Sequence, residues 1–559
     1  MAKSKNEVKI IPLGGIGEIG KNSTLIEVNG DLLLIDCGFK FPSSDMPGID
    51  FIIPDYSYLK KKKKHLKGIV LTHGHLDHIG ALRYLLEDVM PPFIAGSPIT
   101  LGLVKSNLPE RIKSQINFRE IKNRERIKAG AFDIEFIRVT HSIPGSFGIA
   151  IRTPEGIIFH TGDYKIDKTP VDGKKMDTER LKRLSEEGIV ALLSDSTNAD
   201  ESGFTGSESL IGKNLIPIFK KSKGRIIAAT FSTNIHRIQQ IVNVSARFGR
   251  KVVFDGRSLV ETVKISKKLG YIKIPENIEV ELSDISTLPK KKITLITTGT
   301  QGEPMSGLVR IANGMHNGIG ITKGDTVIVS ADPIPGNERV VSDTINKLFK
   351  LGADVYYRKE DGIHVSGHCS QEDIRFMLKL TKPKYYIPVH GEYRHLVFAR
   401  KIAESEGISK KNVFILENGL GVRISNGKMK KIPRVKSGSI VVEGKSLIPL
   451  KGNEDMPVFA ERKEMGNKGL LFAVVVLSKN GKVKKPVHVE TRGIMLSKGT
   501  EGEVVKSIKQ KVVETVEKFA KIKRQDEIEK EIEKAVKKLF RKNSKKSPAI
   551  FPLVIKEKK

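Results

Sequence analysis

Thr72-His73-Gly74-His75-Leu76-Asp77-His78-Ile79-Gly80 packs three imidazoles and a carboxylate into six residues, directly after the apolar run Gly68-Ile69-Val70-Leu71. Imidazole nitrogen and carboxylate oxygen are the donors that divalent zinc or manganese take in hydrolytic sites, and no thiolate stands nearby to compete. The apolar run reads as a buried strand, and Leu82, Leu85 and Leu86 follow at helical spacing. The string therefore sits on a loop between strand and helix. A lone His-X-His is a weak signal, but four potential ligands at this spacing, followed by Gly80, outline a binuclear metal site.

The string resembles the signature of the metallo-β-lactamase superfamily, whose other ligands arrive singly from later strand ends. Such positions exist here. His141 ends the stretch Phe136-Ile137-Arg138-Val139-Thr140, and Asp163 closes Gly156-Ile157-Ile158-Phe159-His160-Thr161-Gly162. Asp36, in Leu32-Leu33-Leu34-Ile35-Asp36-Cys37-Gly38, resembles the superfamily's buried aspartate that orients the ligand loop. Alone, His141 would read as an ordinary core or surface histidine and Asp163 as a turn residue; their order after the first string favours ligands.

This fold hosts hydrolases of lactams, thioesters and phosphodiesters, so the ligands fix a reaction style without a substrate. An insertion narrows the choice. After Leu192-Leu193-Ser194-Asp195-Ser196-Thr197-Asn198 come about 165 residues of alternating strand-like and helix-like segments, ending at Asp361-Gly362-Ile363-His364-Val365-Ser366-Gly367-His368. Tyr385-Tyr386-Ile387-Pro388-Val389-His390-Gly391-Glu392 follows. These three stations resemble motifs A, B and C of the β-CASP nucleases, and a histidine at motif C, here His390, resembles the RNA-directed members rather than the DNA-directed ones, which usually carry valine. The strings Thr230-Phe231-Ser232-Thr233-Asn234-Ile235-His236-Arg237, Thr298-Gly299-Thr300-Gln301-Gly302-Glu303-Pro304-Met305 and Pro333-Ile334-Pro335-Gly336-Asn337-Glu338 are similar to those of the bacterial ribonuclease J family. The likeness runs from about Val8 to about Val442. It departs from the family at Ser232 and Thr233, where alanine and serine are common, and at Cys369, where a smaller residue is.

The resemblance implies an α/β protein: a metallo-β-lactamase αββα sandwich, an inserted α/β β-CASP domain and a small C-terminal α+β domain. The expected segments are 1–207 and 369–450 for the sandwich, 208–368 for the insertion, 451–467 for a linker and 468–559 for the last domain. Two divalent ions, Zn2+ or Mn2+, are implied. His73, His75 and His141 would hold one, Asp77, His78 and His390 the other, with Asp163 bridging them. A hydroxide shared by the ions would attack the scissile phosphate of RNA in line, with Asp77 also orienting it or taking its proton. His368, coupled to Asp195, would stabilise the phosphorane or protonate the leaving 3′ oxygen. The family's exonuclease mode works inward from a 5′ monophosphate beside an endonuclease mode, in RNA maturation and mRNA decay; the matching phosphate-binding positions are Thr233, Asn234, His364 and Ser366. The plain alternative for His364 and Ser366 is a structural turn leading to His368.

Composition agrees. The chain of 559 residues exceeds a single core, and a formal charge of +33 favours a polyanionic partner, although solvated lysine-rich faces contribute to it. Two cysteines without a framework suit a reducing cytoplasm, and no apolar run reaches membrane-span length. The glycine-rich residues 12–20 lack a Walker lysine followed by Ser or Thr, so they read as a hairpin near the active site rather than a nucleotide loop. Apolar runs at 226–229, 252–254, 293–296 and 327–329 predict a largely parallel sheet in the insertion. Lys60 to Lys64 reads as a solvated loop. His65, His160, His236, His316, His395 and His488 are assigned no metal.

Near the end, Leu470 to Leu477 and Val483 to Val489 read as a hairpin turning at Asn480-Gly481. Val505, Ile508, Val512, Val516 and Phe519 share one helical face, Ile528, Ile532, Ala535 and Leu539 another, and Ala549 to Ile555 forms a last strand. The module resembles the family's C-terminal domain, which implies a homodimer or homotetramer, with RNA holding as the alternative and other RNA-decay enzymes as further partners. Three rival functions remain at this level. A β-CASP DNA repair nuclease would predict valine where His390 stands, a small-molecule metallo-hydrolase would not need the insertion, and a non-catalytic RNA-binding scaffold would be expected to have lost ligands.

Overall fold

The computed structural model describes residues 7–43, 45–301, 303, 305–334, 337–450, 452, 456–478, 480–495, 501–520, 524–544 and 547–556. Gly302, Pro304, Pro335 and Gly336 of the strings quoted above lie outside these.

Strands Ser23–Val28 and Asp31–Ile35 are buried along nearly their whole length because both faces of their sheet are covered. Leu25, Leu32 and Leu34 point to outer helices carrying Leu82, Leu85 and Leu101. Ile26, Leu33 and Ile35 point the other way, against Phe136, Ile149, Ile158, Leu193 and Ile387 of a second sheet. That second sheet repeats the alternation, turning Ala150, Ile157, Phe159 and Leu192 to helices bearing Leu181, Leu184, Ile374 and Ile402. The result is a helix, sheet, sheet, helix sandwich of one eight-stranded and one six-stranded sheet. A one-residue slip in any of these strands would exchange its two apolar faces, so the register is strongly specified.

The insertion leaves after strand Ile189–Asp195 and returns into Tyr385–Val389, which pairs parallel with it so that Asp195 lies opposite Val389. A long excursion between two neighbouring strands thus sets motifs A and C side by side. The inserted domain is a five-stranded parallel sheet in the order Lys251–Phe254, Ile293–Thr297, Ile226–Ala229, Thr326–Val329, Asp354–Tyr356. Ile226 and Ala228 face one apolar layer and Ile227 and Ala229 the other, as a sheet covered on both sides requires. Four of these strands were legible as apolar runs; Asp354–Tyr356 was not, because a half-exposed edge strand needs little apolar character.

Two local expectations are corrected. Of the stretch 451–467, read as a linker, residues Met456–Lys468 form a helix; its weak amphipathic pattern hid it. The Lys60 to Lys64 run is not a loop but lies on the short helix Ser57–Lys61 and a following 3-10 turn, with Lys60 paired to Asp88 and Lys62 to Glu27.

Leu450–Lys559 and Pro42–Ile49 form a separate compact unit. Its sheet carries Leu470–Leu477 in the middle, antiparallel to Val483–Arg492 and parallel to Ala549–Lys556. Helices Glu501–Phe519 and Gln525–Ser544 cover one face through Ile508, Val512, Val516, Ile528, Ile532, Val536 and Phe540. Val536 and Phe540 are buried there, and Ala535 and Leu539, read as part of this face, are half-buried neighbours in the same turns. Among the described residues no helix is long and apolar enough to cross a membrane.

Candidate active site

Every predicted ligand stands just beyond a strand end of the sandwich, on a loop or, for Asp77 and His78, on the one-turn helix Leu76–Ile79. His73 to His78 follow Leu66–Val70, His141 follows Phe132–Arg138, Asp163 follows Gly156–His160, and His390 follows Tyr385–Val389. Three groups of potential ligands form among the described residues, each with its ligand atoms within 4.8 Å of one another: His73, His75, His141 and Asp163; Asp77, His78, His390 and Asp163; and Asp163, Asp195, His368 and His390. Asp163 belongs to all three, and the first two are the sets paired with the two ions in the sequence. Its Oδ2 lies 3.2 Å from His78 Nε2 and 3.5 Å from His73 Nε2, and its Oδ1 lies 2.9 Å from His390 Nδ1.

The donor set fits divalent cations. His75 Nδ1 lies 3.1 Å from His73 Nε2 and 3.0 Å from His141 Nε2, close to the edge of about 3.3 Å that a tetrahedron with bonds of roughly 2.0–2.1 Å demands. Three lone pairs aimed at one point need a cation or a proton between them. The far sides of the rings are already engaged, so the inward nitrogens are defined: His141 Nδ1 donates to Gly367 O at 2.7 Å, His78 Nδ1 to Asp36 Oδ2 at 2.7 Å, and His73 Nδ1 meets Thr72 Oγ1 at 3.0 Å. Asp36 also accepts from the Thr72 amide and hydroxyl, each at 2.8 Å, which locks the start of the ligand loop as expected.

Electrostatics divide the histidines. Burial pushes His73 and His141 well below the ordinary imidazole range and His75 to about 4. Burial opposes charge on His390 and His78 too, but Asp163 and Asp77 beside them prevail, raising His78 well above its usual value and His390 to about 10. Positive charge is thus favoured where the carboxylates converge, as a cation site requires.

Backbone strain marks the same place. Asp36 and His390 have φ of 59° and 53°, rare for residues with side chains. His390 is held there by its amide donating to Gly15 O and its carbonyl accepting from Thr197 Oγ1, both at 2.8 Å. The glycine-rich segment is therefore a hairpin that pins motif C, with Ile16 pairing to Gly391. Gly367 allows a close approach as well, since a Cβ there would lie 2.5 Å from His141 Cε1.

Asp195 is fully buried, and its Oδ2 accepts from His368 Nδ1 at 2.9 Å while Oδ1 accepts from the amide and hydroxyl of Thr197. Asp195 and Asp163 raise the His368 pKa against its burial. Cys369 Sγ donates to the Asp195 main-chain oxygen at 3.2 Å, so the larger residue there braces motif A. His364 and Ser366 lie on the same loop as His368. Asn234 is buried as the N-cap of helix Ile235–Arg247, its side chain accepting from the Arg237 amide, and Thr233 precedes it at the positive end of that helix. Arg237, one turn in, bonds to His364 Nδ1 and Val365 O and so ties the two segments together.

Sequence reasoning missed Asn22, Lys165, Asn198 and Arg237. Asn22 Nδ2 lies 3.0 Å from His78 Nε2. Asn198 follows motif A directly and Arg237 ends a string quoted above, so adjacency was the available signal. The histidines assigned no metal, His65, His160, His236, His316, His395 and His488, belong to none of the ligand groups found among the described residues.

The chain matches family models described as metallo-beta-lactamase superfamily over residues 16–165, Ribonuclease J, beta-CASP domain over 223–348, Zn-dependent metallo-hydrolase RNA specificity domain over 352–416, and Ribonuclease J C-terminal domain over 457–557. It is 39% identical to the Ribonuclease J of Synechocystis sp., covering 92% of this chain and 79% of that one. It is 42% identical to the Ribonuclease J of Helicobacter pylori strain 26695 over 85% and 69% of the two chains, and 37% identical to the Ribonuclease J2 of Bacillus subtilis over 92% and 93%. A solved structure, a protein of unknown function from Enterococcus faecalis V583, superposes with a TM-score of 0.52 at 14% identity, covering 75% of this chain and all of that one; that likeness concerns the fold alone.

Proposed function

The chain belongs to the ribonuclease J family, and from that premise we propose that this metal-dependent ribonuclease digests single-stranded RNA stepwise from a 5′ monophosphate and also cuts internally, leaving 5′ phosphates. The observation that carries the reading is the joining of two ligand groups through Asp163, with His364 and Ser366 only four and two residues before His368. An end-binding pocket on the loop that bears the proton donor holds a captured 5′ phosphate close to the bond to be cut.

On this reading His73, His75 and His141 hold one ion, Asp77, His78 and His390 the other, and Asp163 both; zinc fits the imidazole-rich set, and manganese fits the carboxylates. When bound, such a pair lowers the pKa of water and neutralises charge on the scissile phosphate. The chain's own groups do the rest. Asp77 accepts or directs a proton beside His390, to which its Oδ2 lies 3.2 Å. His368, held by Asp195 through Nδ1, presents Nε2 to the cleft and gives its proton to the leaving 3′ oxygen. Thr233, Asn234, His364 and Ser366 bind the terminal phosphate, Asn234 through the amide nitrogen left free by its cap.

The sandwich would comprise 1–207 and 369–450 and the cap 208–368. The C-terminal module would assemble the chain into a homodimer or homotetramer in the cytoplasm, where other RNA-decay enzymes would meet it in RNA maturation and mRNA decay. The test is digestion of a 5′-monophosphorylated RNA and its triphosphorylated twin, with products resolved nucleotide by nucleotide. Mononucleotides released from the first far faster than from the second are expected; equal rates on both would overturn the end-dependent reading.

A further inference from the structure

Arg237 is the largest fully buried side chain among the described residues, yet it lies outside the chemistry described so far. Its guanidinium grips Glu208 with Nε to Oε1 at 2.6 Å and Nη2 to Oε2 at 2.9 Å. The remaining nitrogen, Nη1, reaches the Ser330 hydroxyl at 2.8 Å, the Ser330 carbonyl at 2.9 Å and His364 Nδ1 at 3.1 Å. Lys165, also fully buried, donates to Ser366 O at 3.0 Å and Gly206 O at 3.1 Å. Two buried cations that share the Glu208 carboxylate, with the buried Asp167 and Asp373 also acting on Lys165, lie directly behind residues 364–366.

On the other side of the loop, Asn198 Nδ2 donates to Ser366 Oγ at 2.8 Å, and the His368 amide donates to the same oxygen at 3.2 Å.

We propose that Arg237 and Asn198 are positioning residues that fix His364 Nε2–H and the Ser366 hydroxyl proton outward, making the pocket a set of donors that selects a 5′ phosphate. This rests on the reading of 364–366 as the end-binding pocket. The argument is one of hydrogen-bond inventory. Arginine has no acceptor, so its approach to Nδ1 requires a lone pair there, and the single proton of a neutral imidazole must then sit on Nε2. The Asp332 carboxylate, 3.4 Å from Nε2, shows that nitrogen facing an anionic acceptor. The Ser330 carbonyl, which has two lone pairs, takes one Arg237 proton at 2.9 Å and is the competing acceptor for a proton on Nδ1; the 3.1 Å approach of Arg237 Nη1 to Nδ1 favours the lone pair there. Burial and then the Arg237 charge keep His364 well below its ordinary pKa, hence neutral, against the opposing pull of the Ser330 backbone. At Ser366 both lone-pair directions are taken by Asn198 and the His368 amide, which leaves the hydroxyl proton for a ligand. A hydroxyl or imidazole able to turn and accept would serve a 5′ hydroxyl equally well; donors fixed from behind favour phosphate oxygens.

Two measurements test this on the full-length protein. In imidazole-labelled protein, with the His364 resonances identified by their loss in His364→Gln, a pyridine-type Nδ1 and pyrrole-type Nε2 are expected; the opposite tautomer, or rapid exchange between the two, would overturn the role of Arg237. The second is the ratio of kcat/KM for 5′-monophosphorylated over 5′-hydroxyl RNA. Asn198→Asp is nearly isosteric but can only accept, so it draws the Ser366 proton inward. The ratio should fall by about tenfold or more, further than in Asn198→Ala. In a Ser366→Ala background the same substitution should cost roughly threefold or less, since no proton remains to redirect. A full-sized loss in that background would mean that charge alone is responsible and would overturn the inference. So would a normal ratio in Asn198→Asp while Ser366→Ala lowers it. If Ser366→Ala itself leaves the ratio unchanged, the pocket reading fails first and this inference with it.

Discussion

Asp163→Asn tests the core of the site because one carboxylate serves both ligand groups. The substitution keeps the shape of the side chain and removes one negative charge at 2.9–3.9 Å from ring nitrogens of His390, His78, His73, His368 and His141. A unit charge pair at about 4 Å is worth roughly 4 kcal/mol at an effective dielectric near 20, which is about a thousandfold in affinity, and a divalent ion feels the charge more strongly than a proton does. Both ions should therefore be weakened together. Protein purified without chelator should carry close to two divalent ions per chain by elemental analysis, and Asp163→Asn well under one. Asp77→Asn, which touches one group only, should fall to about one. RNA cleavage should disappear in Asp163→Asn and in chelator-treated wild type, and return to the latter alone when metal is added. Two ions and full activity in Asp163→Asn would refute the shared-ligand reasoning.

Asp36→Asn should weaken metal affinity by roughly 10- to 100-fold with the ligands all present, because the His78 ring loses its anionic partner at 2.7 Å; competition with a chromophoric chelator measures it. His368→Ala should lower kcat by roughly 10²- to 10⁴-fold on both end-dependent and internal cleavage in single-turnover assays, if the proposed proton donor serves every scissile phosphate. Single-stranded RNA should be cut far faster than DNA of the same sequence, and rates should fall with added salt as backbone contacts are screened; equal rates would favour a repair-type nuclease. Glu135 is buried, and Arg180 and Arg152 hold its pKa below the usual value against the effect of burial. A depressed folded-state pKa contributes stability above the unfolded value near 4.5, lost as pH falls through the folded one. Glu135→Gln should therefore unfold more easily than wild type at pH 7, by roughly 1 to 3 kcal/mol in urea titration, with the gap narrowing towards pH 3; Arg152 and Arg180 keep Glu187 as a partner.

The sequence alone determined the features carried by adjacent residues. Four ligands within His73 to His78 need only a turn after a strand to face one point, and continuous apolar runs such as Leu32 to Ile35 and Gly68 to Leu71 read as strands covered on both faces without reference to any contact. Glycines 14, 15 and 17 could likewise be read as a hairpin. What the tertiary structure decided is the convergence of residues hundreds of positions apart. Asp195 and His390 become neighbours because their strands pair in parallel across the whole insertion, and His141 meets the loop of His368 through Gly367. The functions of Asn198, Lys165 and Arg237 depend on which atom each side chain meets, and a residue's identity does not specify that. Asn234 shows the same limit from the other side: its amide fits a phosphate, yet the fold commits its oxygen to a helix cap. Local pattern specifies elements because backbone geometry repeats; a site depends on which ends of those elements the packing brings together, and that is settled only when the apolar faces find their partners.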